Sequence, residues 1–333
     1  MHTFFSCSRC VLPRAISRAA LAATLLGLLA SCSTSGEEPP VPVVTPSRIT
    51  VQQAGLSPEG IQYDEANGRF IVSSRTRGRL GTVRDDSTYT QLADDPRLVS
   101  TIGLHLDATR QRLLAAVSDA GANTTRSTAA TLRKLAALAI FNPSTGALLS
   151  YVDLGALRPA LAHFANDIAV DDQGNAYVTD SFAPIIYKVD AQGTATVFLE
   201  NAQLSGGTSF GLNGIVYHPG GYLLVAKTND GTLFKVPLAN PTGFSTVSKT
   251  QSLVGADGML LLDNTTLLVV AGSQNTVYRM ASTDAWVSTT ASGSFATGAV
   301  SATTITRRNS TEAFVLYPYT ATAPRFAIVK ATF

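Results

Sequence analysis

Short apolar runs broken by Asp, Asn or Gly dominate the chain from about residue 48 onward. Each repeat opens with a short apolar strand, turns on one of these residues, and enters a second, more hydrophobic strand. Long amphipathic helical patterns are nearly absent, so the pattern predicts an all-β protein. The six copies are EGIQYDEANGRFIVSS from Glu59, IGLHLDATRQRLLAAVS from Ile102, NDIAVDDQGNAYVTDS from Asn166, NGIVYHPGGYLLVAK from Asn213, DGMLLLDNTTLLVV from Asp257 and a degraded TTITRRNSTEAFVLY from Thr303.

The spacing of these copies predicts the architecture. Their starts lie 43, 64, 47, 44 and 46 residues apart, and one four-stranded propeller blade takes ~40–50 residues. Residues 48–333 are therefore expected to form a six-bladed β-propeller. The segment RITVQ from Arg48 alternates like a strand and is expected to pair beside Phe326 to Phe333 in the last blade, which closes the ring and removes exposed sheet edges. The weak last copy and the long second copy leave five or seven blades open.

The second copy carries an insertion. It lies between Ser118 and Ala136 and is roughly 16–20 residues longer than the usual period, a length at which loops in compact domains are often functional. A tolerated surface insertion is the alternative. Residues 128–140, which begin in the insertion and extend past its end, fit both a helix and a strand.

The first 32 residues read as a targeting segment. Three arginines precede a short apolar run, too short for a spanning helix of ~20 residues, and Leu-Ala-Ser-Cys then resembles a lipobox that ends at Cys32. We expect residues 1–31 to be a lipoprotein signal peptide and residues 32–47 to be a lipidated cysteine with a Pro-rich tether. The protein is thus expected to be an exported bacterial lipoprotein of the cell envelope, at the outer rather than the inner membrane.

Charge and cysteine content narrow the classes of function. The formal net charge is +2, and removing residues 1–31 with their three arginines brings it to 22 basic against 23 acidic residues, or −1. We therefore expect no nucleic-acid partner, which would favour a basic stripe, and membrane contact through the lipid alone. Cys7 and Cys10 lie in the predicted signal peptide and Cys32 is the anchor, so cysteine-built zinc sites and cysteine nucleophiles are not expected in the propeller.

The residue that begins each inner strand should lie at one mouth of the central channel. Four of the six such positions are carboxylates or carboxamides, a set of hard oxygen donors that suits calcium and is poorly suited to zinc or copper. Any one of these residues is more often a turn residue, but their shared register favours a metal site, because two carboxylates brought close together repel without a cation. The six positions are Glu59, Ile102, Asn166, Asn213, Asp257 and Thr303.

These motifs resemble the senescence marker protein/gluconolactonase/luciferin-regenerating family, with the paraoxonases as more distant relatives. The resemblance rests on the order and spacing of Pro58-Glu59-Gly60, Asn166-Asp167, Asn213-Gly214 and Asp257-Gly258-Met259, and it covers the chain from about residue 55 to 333. It implies a six-bladed propeller with one divalent cation, usually calcium, at the top of the channel. It further implies that Glu59, Asn213 and Asp257 hold the metal and that Asn166 contacts metal or substrate. Asp257 would also be the general base.

The activity that this resemblance implies is hydrolysis of a small-molecule lactone or related ester. A cation would polarise the carbonyl while a carboxylate takes a proton from water. A serine hydrolase is disfavoured because the chain has no Gly-x-Ser-x-Gly elbow. One position departs from the sugar-lactonase branch, where an arginine often precedes the channel asparagine by two residues. Phe164 stands there instead, which favours a less polar substrate or indicates that activity has been lost.

Two histidines are candidate proton carriers near the mouth, because paraoxonase-like enzymes use histidines there. They are His105 and His163, and a structural role is the favoured alternative for both; His218, in an HPGG turn, is expected to be solvated. Two other functions stay open for the whole protein. One is a non-catalytic propeller that binds a sugar, peptide or envelope protein, and the other is a paraoxonase-like esterase.

Overall fold

A computed structural model of the chain describes residues 45–319 and 323–333. Residues from Thr45 to the C-terminus form one compact unit. The predicted signal peptide, Cys32 and most of the tether lie outside the described residues. Within the described part of the chain, no helix is long and apolar enough to span a membrane.

The described residues form six sheets arranged in chain order, antiparallel except for one short added strand, which are the blades of a six-bladed β-propeller. The first strand, β1 (Arg48–Val51), belongs to the last blade. Blade 1 contains β2 (Ile61–Asp64), β3 (Arg69–Val72), β4 (Arg79–Val83) and β5 (Tyr89–Asp94). Blade 2 contains β6 (Ser100–Asp107), β7 (Arg112–Ser118), β8 (Ala136–Phe141) and β9 (Leu148–Asp153). Blade 3 contains β10 (Ala165–Val170), β11 (Ala176–Asp180), β12 (Ile185–Val189) and β13 (Ala195–Glu200).

The second half of the ring follows the same plan with one elaboration. Blade 4 contains β14 (Leu212–His218), β15 (Tyr222–Lys227), β16 (Leu233–Pro237) and β17 (Ser245–Thr246). Blade 5 contains β18 (Ser248–Lys249), β19 (Ala256–Asp263), β20 (Thr266–Ala271), β21 (Thr276–Ala281) and β22 (Ser288–Ala296). Its extra strand β18 pairs parallel to β22 at the outer edge. Blade 6 contains β23 (Ile305–Arg307), β24 (Ala313–Tyr317) and β25 (Phe326–Ala331), with β1 as the fourth strand.

Strand β1 closes the ring as the alternation predicted. It pairs antiparallel with β25, and Ile49 lies opposite Ile328. Both Ile49 and Val51 are 1% exposed, because they pack into an apolar cluster between blades 6 and 1 that includes Phe70 and Phe314. The predicted six blades, four-stranded sheets and N-terminal closure are therefore confirmed.

The insertion in the second repeat lies between β7 and β8. Residues 119–135 form turns, and the strand begins at Ala136, so the structure resolves the competition between helix and strand in favour of turns followed by a strand. The loop is held firmly: Arg126 donates hydrogen bonds to three backbone carbonyls of the preceding blade and pairs with Asp94. Asp119 accepts hydrogen bonds from the Ser127 and Thr131 hydroxyls.

His218 does not match its sequence-based prediction. We expected a solvated turn residue, but its side chain is 7% exposed and stacks on Tyr222 with ring centroids 4.3 Å apart. Its Nε2 lies 2.9 Å from the Asn264 carbonyl oxygen. The turn folds back against blade 5, which buries a ring that the local sequence alone would leave in water.

Candidate functional site

A β-bulge sets the direction of the site residues in four of the blades. The pairing of the inner strand with its neighbour shifts register at residues 102–103, 166–167, 213–214 and 257–258. Bulges leave residues unpaired and re-aim their side chains. In these four blades, the residue that begins the repeat therefore lies where the inner strand departs from regular pairing.

Hydroxyl groups near the ends of the second strands satisfy backbone donors at the start of the inner strands, both in blade 1, where the pairing is regular, and at the bulge of blade 3. Ser73 Oγ accepts hydrogen bonds from the backbone N–H groups of Glu59 and Gly60, and Thr179 Oγ1 accepts one from the Asp167 N–H. These backbone donors are therefore satisfied within the blade, as buried donors must be.

Consecutive blades approach closely just inside the mouth, at the second residue of each repeat. A Cβ placed on Gly60, Gly103 or Gly214 would lie 2.2–2.4 Å from a carbonyl oxygen of the next blade. Gly258 approaches Thr304 of blade 6 in the same way, at 2.3 Å from its Oγ1. We call this narrow ring the waist of the channel. The first residue of each repeat directly precedes a waist position. These six residues, one from each blade, therefore surround the channel axis.

The two asparagines of the predicted metal set are oriented by hydrogen bonds. Asn166 is 4% exposed and donates from Nδ2 to Ser181 Oγ at 2.9 Å. Asn213 is 6% exposed and donates from Nδ2 to Thr228 Oγ1 at 3.1 Å. With the amide nitrogens directed to hydroxyls, each Oδ1 is left as an acceptor. Amide oxygens in this state are suitable ligands for a hard cation.

The two carboxylates of the set, Glu59 and Asp257, lie in surroundings that favour the binding of a cation. Glu59 Oε2 is a buried atom without a hydrogen bond in the described structure, although Arg75 Nε lies 3.2 Å away as an ion-pair partner. Removal from water raises the pKa of Glu59, and Arg75 partly offsets that rise. The pKa of Asp257 is raised well above its usual value, first by removal from water and then by the nearby charges of Glu59 and Asp167.

Asp167 belongs to the Asn166-Asp167 motif, but no role in the site was predicted for it. It occupies the waist position that is glycine in four other blades, and its carboxylate accepts hydrogen bonds from the Ile168 and Ile215 N–H groups. Removal from water raises its pKa to about 7, and the charge of Glu59 adds to the effect. The signal that could have found it is the break in the glycine register. Arg75, the second missed residue, follows β3 and has no motif that marks it.

This arrangement can hold a cation only if the amides take part. Within residues 45–319 and 323–333, no three His, Cys, Asp or Glu side chains cluster closely enough to hold a metal ion by themselves. The predicted set needs only two carboxylates beside the two amides. Three carboxylates face one nearby guanidinium, so the mouth carries an excess of negative charge when all are ionised. Donor chemistry and charge therefore fit a divalent cation, with Arg75 as a competing partner for Glu59.

The other three predicted substrate residues occupy different places. His163 is 1% exposed, with Nδ1 2.8 Å from Asp180 Oδ2 and Nε2 2.9 Å from the Arg158 carbonyl oxygen. Its two nitrogens are occupied, which favours a structural role. His105 lines the channel on the far side of the waist, where burial lowers its pKa to about 4. Phe164 lies beside Asn166 and contacts Phe182 and Phe210.

The main cavity of the channel lies on the far side of the waist from the predicted metal set. It measures about 810 Å³, is lined by inner strands of all six blades, and extends from Asp167 and Thr304 to residues at the other ends of those strands, such as Gln111 and Arg307. None of Glu59, Asn166, Asn213 and Asp257 lines it. Asp167 is the carboxylate that faces both regions.

Comparisons with known proteins agree on the architecture. The chain matches no protein-family model, and a search of curated proteins gives no match. Among solved structures, the allergen Mala s 1 of Malassezia sympodialis superposes with a TM-score of 0.70 at 17% identity, covering 87% of this chain and 97% of that one. A calcium-binding regucalcin from Agrobacterium tumefaciens gives 0.61 at 15% identity, with coverage of 86% and 95%. A gluconolactonase from Xanthomonas campestris gives 0.59 at 17% identity, with coverage of 85% and 88%. At these identities the likeness establishes a shared six-bladed propeller fold, and the neighbours that share it include lactonase-type enzymes.

Proposed function

We propose that this protein is a divalent-cation-dependent hydrolase of lactones or related esters, with calcium as the cation. The observation that carries the proposal is the equivalent position of Glu59, Asn166, Asn213 and Asp257 at the start of four inner strands. Asp257 lies near Glu59 and Asn213, and a buried Glu59 oxygen lacks a hydrogen bond. The calcium-binding regucalcin and the gluconolactonase that share the fold support it as analogies. The fold by itself supports no particular function.

Each residue has a role that follows from its surroundings. Glu59, Asn213 and Asp257 would hold the cation, and Asn166 would contact either the cation or the substrate. A bound divalent cation supplies Lewis acidity toward a carbonyl oxygen. Asp257 would accept a proton from the attacking water, as a carboxylate general base does.

The cellular setting of the proposal comes from the sequence. Cys32 would be the lipidated anchor, which places the propeller in the cell envelope, at the outer rather than the inner membrane, with the lipid as the only membrane contact. No nucleic-acid partner is expected. The lipid is tested by mass spectrometry of the membrane fraction, where Cys32→Ser should abolish the acylated N-terminal peptide.

The test of the activity uses the purified chain with calcium or with chelator. The substrates are gluconolactone, an apolar δ-lactone, phenyl acetate and a phosphotriester, which separate a sugar lactonase from an apolar lactonase and from a paraoxonase-like esterase. Asp257→Asn should reduce calcium-dependent hydrolysis at least ~100-fold, as expected for loss of a general base. Asp263→Asn is the matched control, because Asp263 is exposed at the other end of the same strand, and it should retain activity.

Two results would contradict the proposal. One is hydrolysis that is unaffected by chelator, and the other is equal activity in the two variants. The absence of turnover on all four substrates, with calcium bound, would favour the alternative of a non-catalytic propeller. That alternative is supported by the large cavity on the far side of the waist and by the ion pair between Arg75 and Glu59.

A further inference from the structure

An aromatic cluster borders the mouth next to the predicted metal set. It consists of Phe164, Phe182 and Phe210, whose ring centroids lie 5.1–5.3 Å from one another. Phe164 is buried, whereas Phe210 is 41% exposed and presents its ring to solvent. We call this cluster the aromatic wall.

Backbone contacts tie the aromatic wall to both asparagines of the mouth. Phe182 follows Ser181, whose hydroxyl holds Asn166. Phe210 precedes Gly211, which donates to the Ser181 carbonyl and accepts from the Thr228 N–H. Thr228 in turn holds Asn213 through its hydroxyl. The aromatic wall is therefore joined through hydrogen bonds to the two asparagines of the predicted metal set.

The insertion of blade 2 adds a positive charge to this wall. The Arg133 guanidinium lies over the Phe182 ring, 4.1 Å from its centroid. The backbone of Arg133 is fixed on both sides: its N–H donates to the Asp119 carbonyl, and its carbonyl accepts from the His163 N–H. It adopts a left-handed conformation with φ of 57°, which costs a non-glycine residue free energy. The fold thus holds this side chain on the wall at some cost.

The Arg133 guanidinium is available for an anion. The ion pairs and side-chain hydrogen bonds found among residues 45–319 and 323–333 include none from this guanidinium, and Arg133 is exposed. By contrast, Arg97 also lies over an aromatic ring, that of Tyr151, but pairs with Asp95. Leu132, which precedes Arg133 in the chain, is 43% exposed and adds apolar surface beside the charge, and Lys134, which follows, is exposed as well.

We propose that the aromatic wall and Arg133 form a binding subsite for an apolar molecule that carries a carboxylate. The phenyl rings pack against the hydrocarbon part, and the guanidinium pairs with the carboxylate. Resting on the proposed function, this names the substrate class as lactones or esters that carry a free carboxylate on an aryl- or alkyl-bearing part, rather than derivatives of sugar acids. Arg133 of the insertion then supplies a guanidinium close to Phe164, which stands where sugar lactonases often have an arginine.

The test measures binding in the presence of chelator, so that neither the metal nor turnover contributes. The probes in isothermal titration calorimetry are 4-phenylbutyrate, its uncharged amide, and gluconate. Arg133→Gln should weaken phenylbutyrate about fivefold and leave the amide unchanged, because only the ion pair is lost. Phe210→Ala should weaken both aryl probes about tenfold, since it removes packing against the ring.

Matched controls lie elsewhere on the surface. Arg97→Gln removes another arginine that covers a ring, and Phe333→Ala removes another exposed phenylalanine, 47% exposed. Neither should change binding. The proposal is overturned if the wall variants bind like the controls, or if gluconate binds more tightly than phenylbutyrate. Failure of hydrolysis leaves these results unaffected, so the subsite and the proposed activity fail independently.

Discussion

Replacing Asp167 by Asn should change how the stability of the metal-free protein depends on pH. The pKa of Asp167 is raised from an ordinary value of 3.8 to about 7, mainly by removal from water. A carboxyl group with a raised pKa keeps its proton in the folded state after the unfolded chain has lost it. Its contribution to stability is therefore full below pH ~4 and is lost as the pH rises through about 7.

The size of this effect follows from the shift. One pKa unit corresponds to ~1.4 kcal/mol. Between pH 5 and about 7 the folded protein keeps this proton while the unfolded chain has lost it, so the free energy of unfolding falls by at most ~3 kcal/mol by pH 8. Asp167 is partly exposed to the channel cavity, and water there screens part of the cost. We therefore expect a loss of ~1–3 kcal/mol from this group. Asn cannot ionise, so Asp167→Asn should remove that share of the decline.

The assay is urea unfolding in chelator at pH 5 and pH 8, followed by tryptophan fluorescence and circular dichroism. The absolute stability of Asp167→Asn is not diagnostic, because the amide cannot accept from both the Ile168 and Ile215 N–H groups. The difference between the two pH values is diagnostic. Asp86→Asn is the control: hydrogen bonds from Thr88 lower the pKa of this exposed carboxyl, so it is ionised in both states throughout the range. A wild-type stability that does not fall between pH 5 and 8, or an unchanged slope in Asp167→Asn, would refute the reasoning.

Three further predictions concern the scaffold and are measured by urea unfolding. A chain that begins at residue 53 loses β1 with two buried side chains and should be at least ~4 kcal/mol less stable than a chain that begins at residue 45; equal stability would contradict closure by β1. Gly214→Ala should cost ~2–4 kcal/mol, because its Cβ would meet the Asp257 carbonyl at 2.2 Å, whereas Gly293→Ala meets its nearest atom at 3.5 Å and should cost much less. Tyr187→Phe should cost ~1 kcal/mol, since it removes a hydroxyl that lies 3.1 Å from His163 Nδ1; an effect above ~3 kcal/mol would indicate a larger rearrangement.

Much of the fold could be predicted because each repeat is a local pattern of two apolar strands separated by turn residues. The spacing of the six copies gave the blade count, and the alternation at Arg48 marked a strand that needed a partner. The same register located Asn166, Asn213 and Asp257, because a bulge recurs at that point in the inner strands. Where a residue's place in the propeller follows from its place in the repeat, the sequence pattern therefore predicts its location.

The residues that sequence reasoning missed depend on contacts between segments far apart in the chain. Phe182, Phe210 and Arg133 come from three different loops, and no periodicity relates them to one another or to Phe164, which was predicted as a substrate residue. His218 was expected in water because its turn is polar, but packing against Asn264 of the next blade buries it. Only the departure of Asp167 from the glycine register carried a signal in the sequence itself.

The waist of the channel has a consequence for how such a protein can be altered. At four of its six positions the neighbouring blade leaves no room for a side chain, so those positions accept only glycine unless the ring expands. Asp167 and Thr304 occupy the remaining two. Chemistry at the centre of the ring can therefore be varied at just these two sites while the scaffold stays fixed. A designer who wished to change the charge or polarity of the axis would begin with residues 167 and 304 and leave the other four unchanged.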